Sequence, residues 1–91
     1  MKTAYLRPEE ARDRASLHAA LARQLGFPDW YGGNLDALRD LLGAERGMVQ
    51  IVLVHPDELR ENLGDCYDAL LCVLRDARDD GANVRVLTWD W

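Results

Sequence analysis

Asp36 and Asp40 stand four residues apart in the run Trp30-Tyr31-Gly32-Gly33-Asn34-Leu35-Asp36-Ala37-Leu38-Arg39-Asp40, on a helix face that has no structural use for both. Pro28, Gly32 and Gly33 punctuate the chain, and Asn34 is a favoured N-cap whose side-chain oxygen accepts from an orphan amide of the first turn. The pattern predicts a helix opening at Asn34 and running to about Leu42. Leu35, Leu38, Leu41 and Leu42 follow at three- and four-residue spacing, which winds them onto one buried stripe and turns Asp36, Arg39 and Asp40 towards water. The two carboxylates are then i,i+4 neighbours, a like-charge pair that costs a helix about 0.2–0.5 kcal/mol. Asp36 lies in the first turn, where the helix dipole welcomes an anion, so alone it reads as a helix-stabilising residue. Asp40 lies beyond that turn, and Arg39 offsets the pair only in part, since an exposed ion pair contributes about 0–1 kcal/mol. The chemistry this segment suits is recognition of a positively charged target. Trp30 and Tyr31 support it, because two adjacent large aromatics in a Gly- and Pro-rich loop are the side chains that carry interface hot spots, although one of them can equally belong to the core.

The charge distribution points the same way. The 91 residues carry a net charge of -5. Acidic and basic residues balance up to His55, and the stretch from Pro56 to Asp80 carries the excess, with only Arg60, Arg75 and Arg78 against it. An acidic domain without a basic stripe is a poor phosphate binder, which argues against direct nucleic-acid recognition and for a cationic protein partner. A solvated acidic face is the plainer reading of charge alone.

No catalytic arrangement is visible. Asp36 and Asp40 stand side by side on a convex helix face and do not straddle a cleft, and no Ser-His or Cys-His pairing, metal-ligand set or cofactor motif occurs. His18 is helical and expected to be hydrogen-bonded and partly buried; His55 ends a strand. Cys66 and Cys72 fall on one predicted helix, about 9 Å apart at a rise of about 1.5 Å per residue, beyond disulfide reach, so both are expected as reduced thiols.

The elements that position these residues form one domain over residues 1–91. Its apolar content of 48%, with Pro and Gly used as punctuation, excludes a disordered tail or repeat array. No h-region opens the chain and no run approaches the ~20 apolar residues of a membrane span, so a cytoplasmic protein without membrane contact is expected. Thr3–Leu6, Val49–Val54 and Val84–Trp89 read as strands. Leu17, Leu21 and Leu25 mark a helix capped by Asp13 or Ser16 and ending near Gly26. Asp57–Leu63 reads as a short helical turn, and Asp65–Asp80 as a longer helix stopped by Gly81. Crossovers of that length keep all three strands parallel and right-handed in the usual way, with Val49–Val54 central. The fold class is α/β, a three-stranded parallel sheet packed with about four helices.

The last helix breaks a second local rule. Asp76, Asp79 and Asp80 gather at its C-terminus, where the dipole prefers cations, and Arg75 and Arg78 only partly offset them. Asp76 falls on the polar flank and can join Asp36 and Asp40 if this helix lies beside theirs. Asp79 and Asp80 read equally well as a solubilising patch.

These residues carry a resemblance. The Trp30–Asp40 run, with Ser16-Leu17-His18 and Leu21 before it and Val73-Leu74-Arg75-Asp76-Ala77-Arg78-Asp79-Asp80-Gly81 after it, resembles the barstar family, intracellular inhibitors of a secreted bacterial ribonuclease. The resemblance implies a compact α/β fold and a one-to-one complex with a basic, guanyl-specific ribonuclease. It also implies a contact surface made of Trp30, Tyr31, Gly32, Asn34, Leu35, Asp36, Arg39, Asp40 and Asp76, with Asp40 standing in for a phosphate in the nuclease cleft. Where the family has an aromatic residue this chain has Arg39, Gly33 replaces an acidic residue, and Gly43–Gly47 lacks a Trp. Arg39 can tether Asp36 or project towards the partner, and the exchange of an aromatic for a charge favours projection. A barstar-like module binding another basic protein or nuclease toxin is the alternative.

Overall fold

A computed structural model describes residues 1–28, 31–45 and 47–90. The order is β1 (Lys2–Leu6), α1 (Arg14–Leu25), α2 (Leu35–Ala44), β2 (Val49–Val54), α3 (Pro56–Leu63), α4 (Asp65–Asp79) and β3 (Val84–Trp89). The strands form one sheet in the order β1-β2-β3, parallel throughout, so the α/β class and the central place of Val49–Val54 agree with the sequence.

The register explains the core. Ala4 pairs with Ile51 and Ile51 with Val86; Leu6 pairs with Leu53. Because strand side chains alternate, these residues and Val49 and Val84 share one face, and there they meet Leu17, Leu21, Leu25, Leu38, Leu42, Leu70 and Leu74 of the helices. Val52 and Val54, on the other face of β2, are also buried. On that side Tyr5 of β1 is opposite Val52 and Trp89 of β3 opposite Val54, and their rings lean together to 6.3 Å across the central strand. A strand buried on both faces needs a nearly unbroken apolar run, which is what Val49–Val54 supplies.

The helix ends follow local chemistry. Asp13 and Ser16, each a candidate cap from the sequence, act together and close a reciprocal capping box on α1. Ser16 N donates to Asp13 Oδ1 at 2.8 Å and Asp13 N to Ser16 Oγ at 3.0 Å. The Ser16 amide and hydroxyl, both donating to the Asp13 carboxylate, hold its pKa below its ordinary value. Gly26, at φ +70°, provides the left-handed turn that ends α1. The expected turn at Asp57–Leu63 is a full helix starting one residue earlier, since Pro56 suits the first helical position. His55 does not end a strand; it follows β2 with φ +50°, turning the chain at once into α3, and its Nδ1 lies 3.0 Å from Asp90 Oδ1, tying the ends of β2 and β3.

β1 is an edge strand, and α1 guards it. Tyr5 N–H donates to Gln24 Oε1 at 2.7 Å, and Gln24 Nε2 donates to the Tyr5 carbonyl at 2.8 Å. One amide thus satisfies both main-chain groups that this residue turns away from β2, groups that would otherwise template edge pairing. Gln24→Ala is expected to lower stability by about 1–2 kcal/mol, the scale for leaving partly buried polar groups unpaired. Urea unfolding of the variant checks it; an unchanged midpoint would mean that water replaces the amide without loss.

Candidate functional site

The site is built on α2 and the loop before it. Gly33 adopts φ +67°, a left-handed conformation that suits glycine, and delivers Asn34 in extended geometry as the N-cap. Asn34 Oδ1 accepts from Ala37 N at 2.8 Å. A Cβ on Gly32 would lie 3.2 Å from the Asn34 side-chain amide, so a side chain there would press on the capping group. Leu38 and Leu42 are fully buried while Leu35 and Leu41 are half-buried, and the opposite face holds Asp36, Arg39 and Asp40, all exposed. Neither aspartate has an ion pair or side-chain hydrogen bond among the described residues. Both carboxylates are therefore presented to solvent from a capped, packed helix.

α2 lies against α4, which meets the condition for Asp76 to approach this face. Asp76 is half-buried, with its Oδ1 4.0 Å from Arg75 Nε. Arg39 neither tethers Asp36 nor points free. Its guanidinium crosses from α2 to α4 and donates to the Asp80 carboxylate, at the C-cap of that helix. Asp80, with Asp76 and Asp40 close enough to add their fields, pushes the Arg39 pKa above its ordinary value. The sequence offered Asp80 only as part of an acidic patch. No short-range spacing links residues 39 and 80; the charge opposed to the dipole of α4 was the available signal.

Tyr31 faces inward. Its ring packs at 4.8 Å from Phe27 and against the core cluster, and its hydroxyl shares a hydrogen bond with Nδ1 of His18 on α1. Tyr31 thus packs on the core and anchors the chain just before α2. Trp30 lies outside the described residues. Burial pushes the Tyr31 hydroxyl pKa up to about 12. His18 is 3% exposed, and its Nε2 has no hydrogen-bond partner among the described residues. Protonating the ring would strand a charged, buried N–H, so burial, helped by the cation of Arg14, lowers the His18 pKa below 6.5.

Among the described residues no group of three His, Cys, Asp or Glu side chains is arranged to hold a metal ion, and no helix is long and apolar enough to cross a membrane. Cys66 and Cys72 are free thiols, and burial pushes the Cys66 thiol pKa up. The arrangement offers fixed carboxylates on an exposed helix face, which can bind cations.

His18 makes the anchor sensitive to acid. Below its ordinary pKa the unfolded chain takes up the proton that folded His18 resists, so stability is full at higher pH and falls as pH drops through the mid-6 range and below. Between pH 7.5 and 5.5 the wild type is expected to lose more stability than His18→Gln, which cannot titrate. Parallel denaturation curves at the two pH values check this, and equal losses would exclude His18.

The family model described as Barstar (barnase inhibitor) matches residues 1–89. With nearly all of its 91 residues inside that match, and with the parallel three-stranded sheet and four helices described above, the chain belongs to the barstar family of barnase inhibitors.

Proposed function

We propose that this chain is a stoichiometric inhibitor of a guanyl-specific microbial ribonuclease, covering its active site one-to-one with α2 and the preceding loop. The observation that carries the reading is the pair Asp36 and Asp40, unpaired and exposed on a helix fixed by its cap and by α4. A ribonuclease cleft is lined with cations that hold phosphate, so a rigid carboxylate at Asp40 occupies the phosphate subsite and Asp36 meets the neighbouring cations. Trp30, Gly32, Asn34 and Leu35 supply contact and packing around them, Tyr31 holds the loop in place, and Arg39 and Asp76 border the face. The inhibitor works in the cytoplasm, as an immunity protein against a secreted basic enzyme, and catalyses nothing itself.

The Arg39–Asp80 pair favours one variation on this reading, since a charge replaces the family's aromatic residue at the edge of the face. In that variation the partner is a basic protein or nuclease toxin of another class, bound through the same carboxylates.

Calorimetric titration against barnase and against the secreted nucleases of the host, with RNA cleavage as the readout, decides between them. A tight one-to-one complex that abolishes cleavage supports the ribonuclease reading; binding to a different basic nuclease supports the variation; absence of both overturns the inhibitor reading. Asp40→Ala is expected to lose at least ~2 kcal/mol of binding, the scale of an interface hot spot, while thermal stability stays equal or rises slightly. Loss of folding would instead make Asp40 a structural residue. The association rate is expected to fall strongly as ionic strength rises through about 0.1 M, where the screening length is about 10 Å, with dissociation changing less. Stopped-flow mixing across a salt series measures both, and a salt-independent association rate would mean a mainly apolar interface.

A further inference from the structure

Arg39 has two short-range uses open to it. It follows Asp36 by three residues, a helical pairing distance, and it precedes Asp40 on the exposed face. It takes neither, and reaches instead a residue 41 positions away on another helix. Asp80, for its part, is poorly placed for α4 alone: a carboxylate at a helix C-cap faces the negative end of the dipole, and a cation beside it removes that conflict. Each member of the pair resolves the other's misfit, and Arg39 is the only side-chain partner of Asp80 among the described residues.

The pair lines a cleft of about 270 Å³ together with Gly43, Glu45, Ala77, Gly81 and Asn83. Nothing lies within 4 Å of where a side chain on Gly43 or Gly81 would begin, so the cleft is open at these two glycines. Both partners are also about half exposed. The Asp80 carboxylate is the anion that Arg39 contacts on α4, and without it Asp76 and Asp40 are the anions whose fields still reach the guanidinium.

We propose that Asp80 is a specificity-determining residue that acts through Arg39. The clasp between them keeps a cation on α2 from competing with the partner's cations for Asp40, a role that rests on the reading of α2 as the surface offered to a basic ribonuclease. A partner lined with Lys and Arg finds Asp36, Asp40 and Asp76 presented and Arg39 withdrawn. When the clasp opens, the same face carries a guanidinium that repels such a partner.

The test is a double-mutant cycle on association with barnase, using the wild type, Arg39→Gln, Asp80→Asn and the double variant. Arg39→Gln is expected to associate faster than the wild type. Asp80→Asn is expected to slow association about tenfold when Arg39 is present, because it removes one negative charge and frees a positive one, but only about twofold in the Arg39→Gln background. Equal fold-losses in the two backgrounds would overturn the proposal, since Asp80 would then act by its own charge alone. The clasp is also read without any nuclease, from the Arg39 Nη–H resonances of the free chain at low temperature: Asp80→Asn is expected to shift them, and unmoved resonances overturn the clasp. A wild-type chain that fails to bind barnase overturns the assignment of that target and with it this specificity role, while the resonances still decide the clasp.

Discussion

The structure depends on one constraint: β2 is buried on both faces and pairs in parallel on both sides. Parallel neighbours cannot be joined by tight turns, so each crossover must travel the length of the sheet, and here each does so as two helices. The first crossover supplies α1 and α2, the second α3 and α4. Their apolar stripes close over the face that carries Ala4, Leu6, Ile51 and Leu53, and this brings α2 beside α4. Asp76 and Asp80, at the end of α4, come within the field of Arg39 on α2 because both crossovers pack their helices against the sheet.

That packing sets how much electrostatic conflict the surface can carry. Asp36 and Asp40 repel by a few tenths of a kcal/mol, as an i,i+4 like-charge pair does. Burial of Leu38 and Leu42, fully hidden on the opposite side of the same helix, contributes about 1.5–3 kcal/mol for each side chain. The apolar seam outweighs the repulsion, so α2 holds its carboxylates in a fixed orientation although its own charges argue against it. The Arg39–Asp80 pair relieves a second conflict, at the C-terminus of α4, and can form only because the seam has set the two helix ends side by side.

How much of this was legible in the sequence follows from the range of each interaction. Strands, helices, caps and the parallel arrangement are written in local patterns: the run Val49–Val54, the leucine spacing of α2, Asn34 before it and Gly26 after α1. The exposed trio Asp36, Arg39 and Asp40 is legible for the same reason, since a helical wheel decides it. The destination of the Arg39 guanidinium was not, because it depends on where the C-cap of α4 comes to rest relative to α2, 41 residues on. The inward turn of Tyr31 was half legible. Of two adjacent aromatics before a helix start one can belong to the core, but only the third dimension shows that Tyr31 does and that its hydroxyl shares a hydrogen bond with His18 on α1.

The His18–Tyr31 contact bears on recognition more than on chemistry. A loop that must order itself on binding loses conformational freedom that the contacts then have to offset, at about 0.5–1.5 kcal/mol for each immobilised side chain. Here the contacts of the segment from Tyr31 to Asn34 are already made. Tyr31 is held at its ring by Phe27 and at its hydroxyl by a buried histidine, Gly33 supplies a left-handed turn, and Asn34 locks the first turn of α2. Carboxylates delivered from such a frame meet a cationic surface with little left to arrange, so their charge goes into attraction and discrimination. The buried imidazole, whose Nε2 has no partner among the described residues, is the stability the fold gives up for that rigidity.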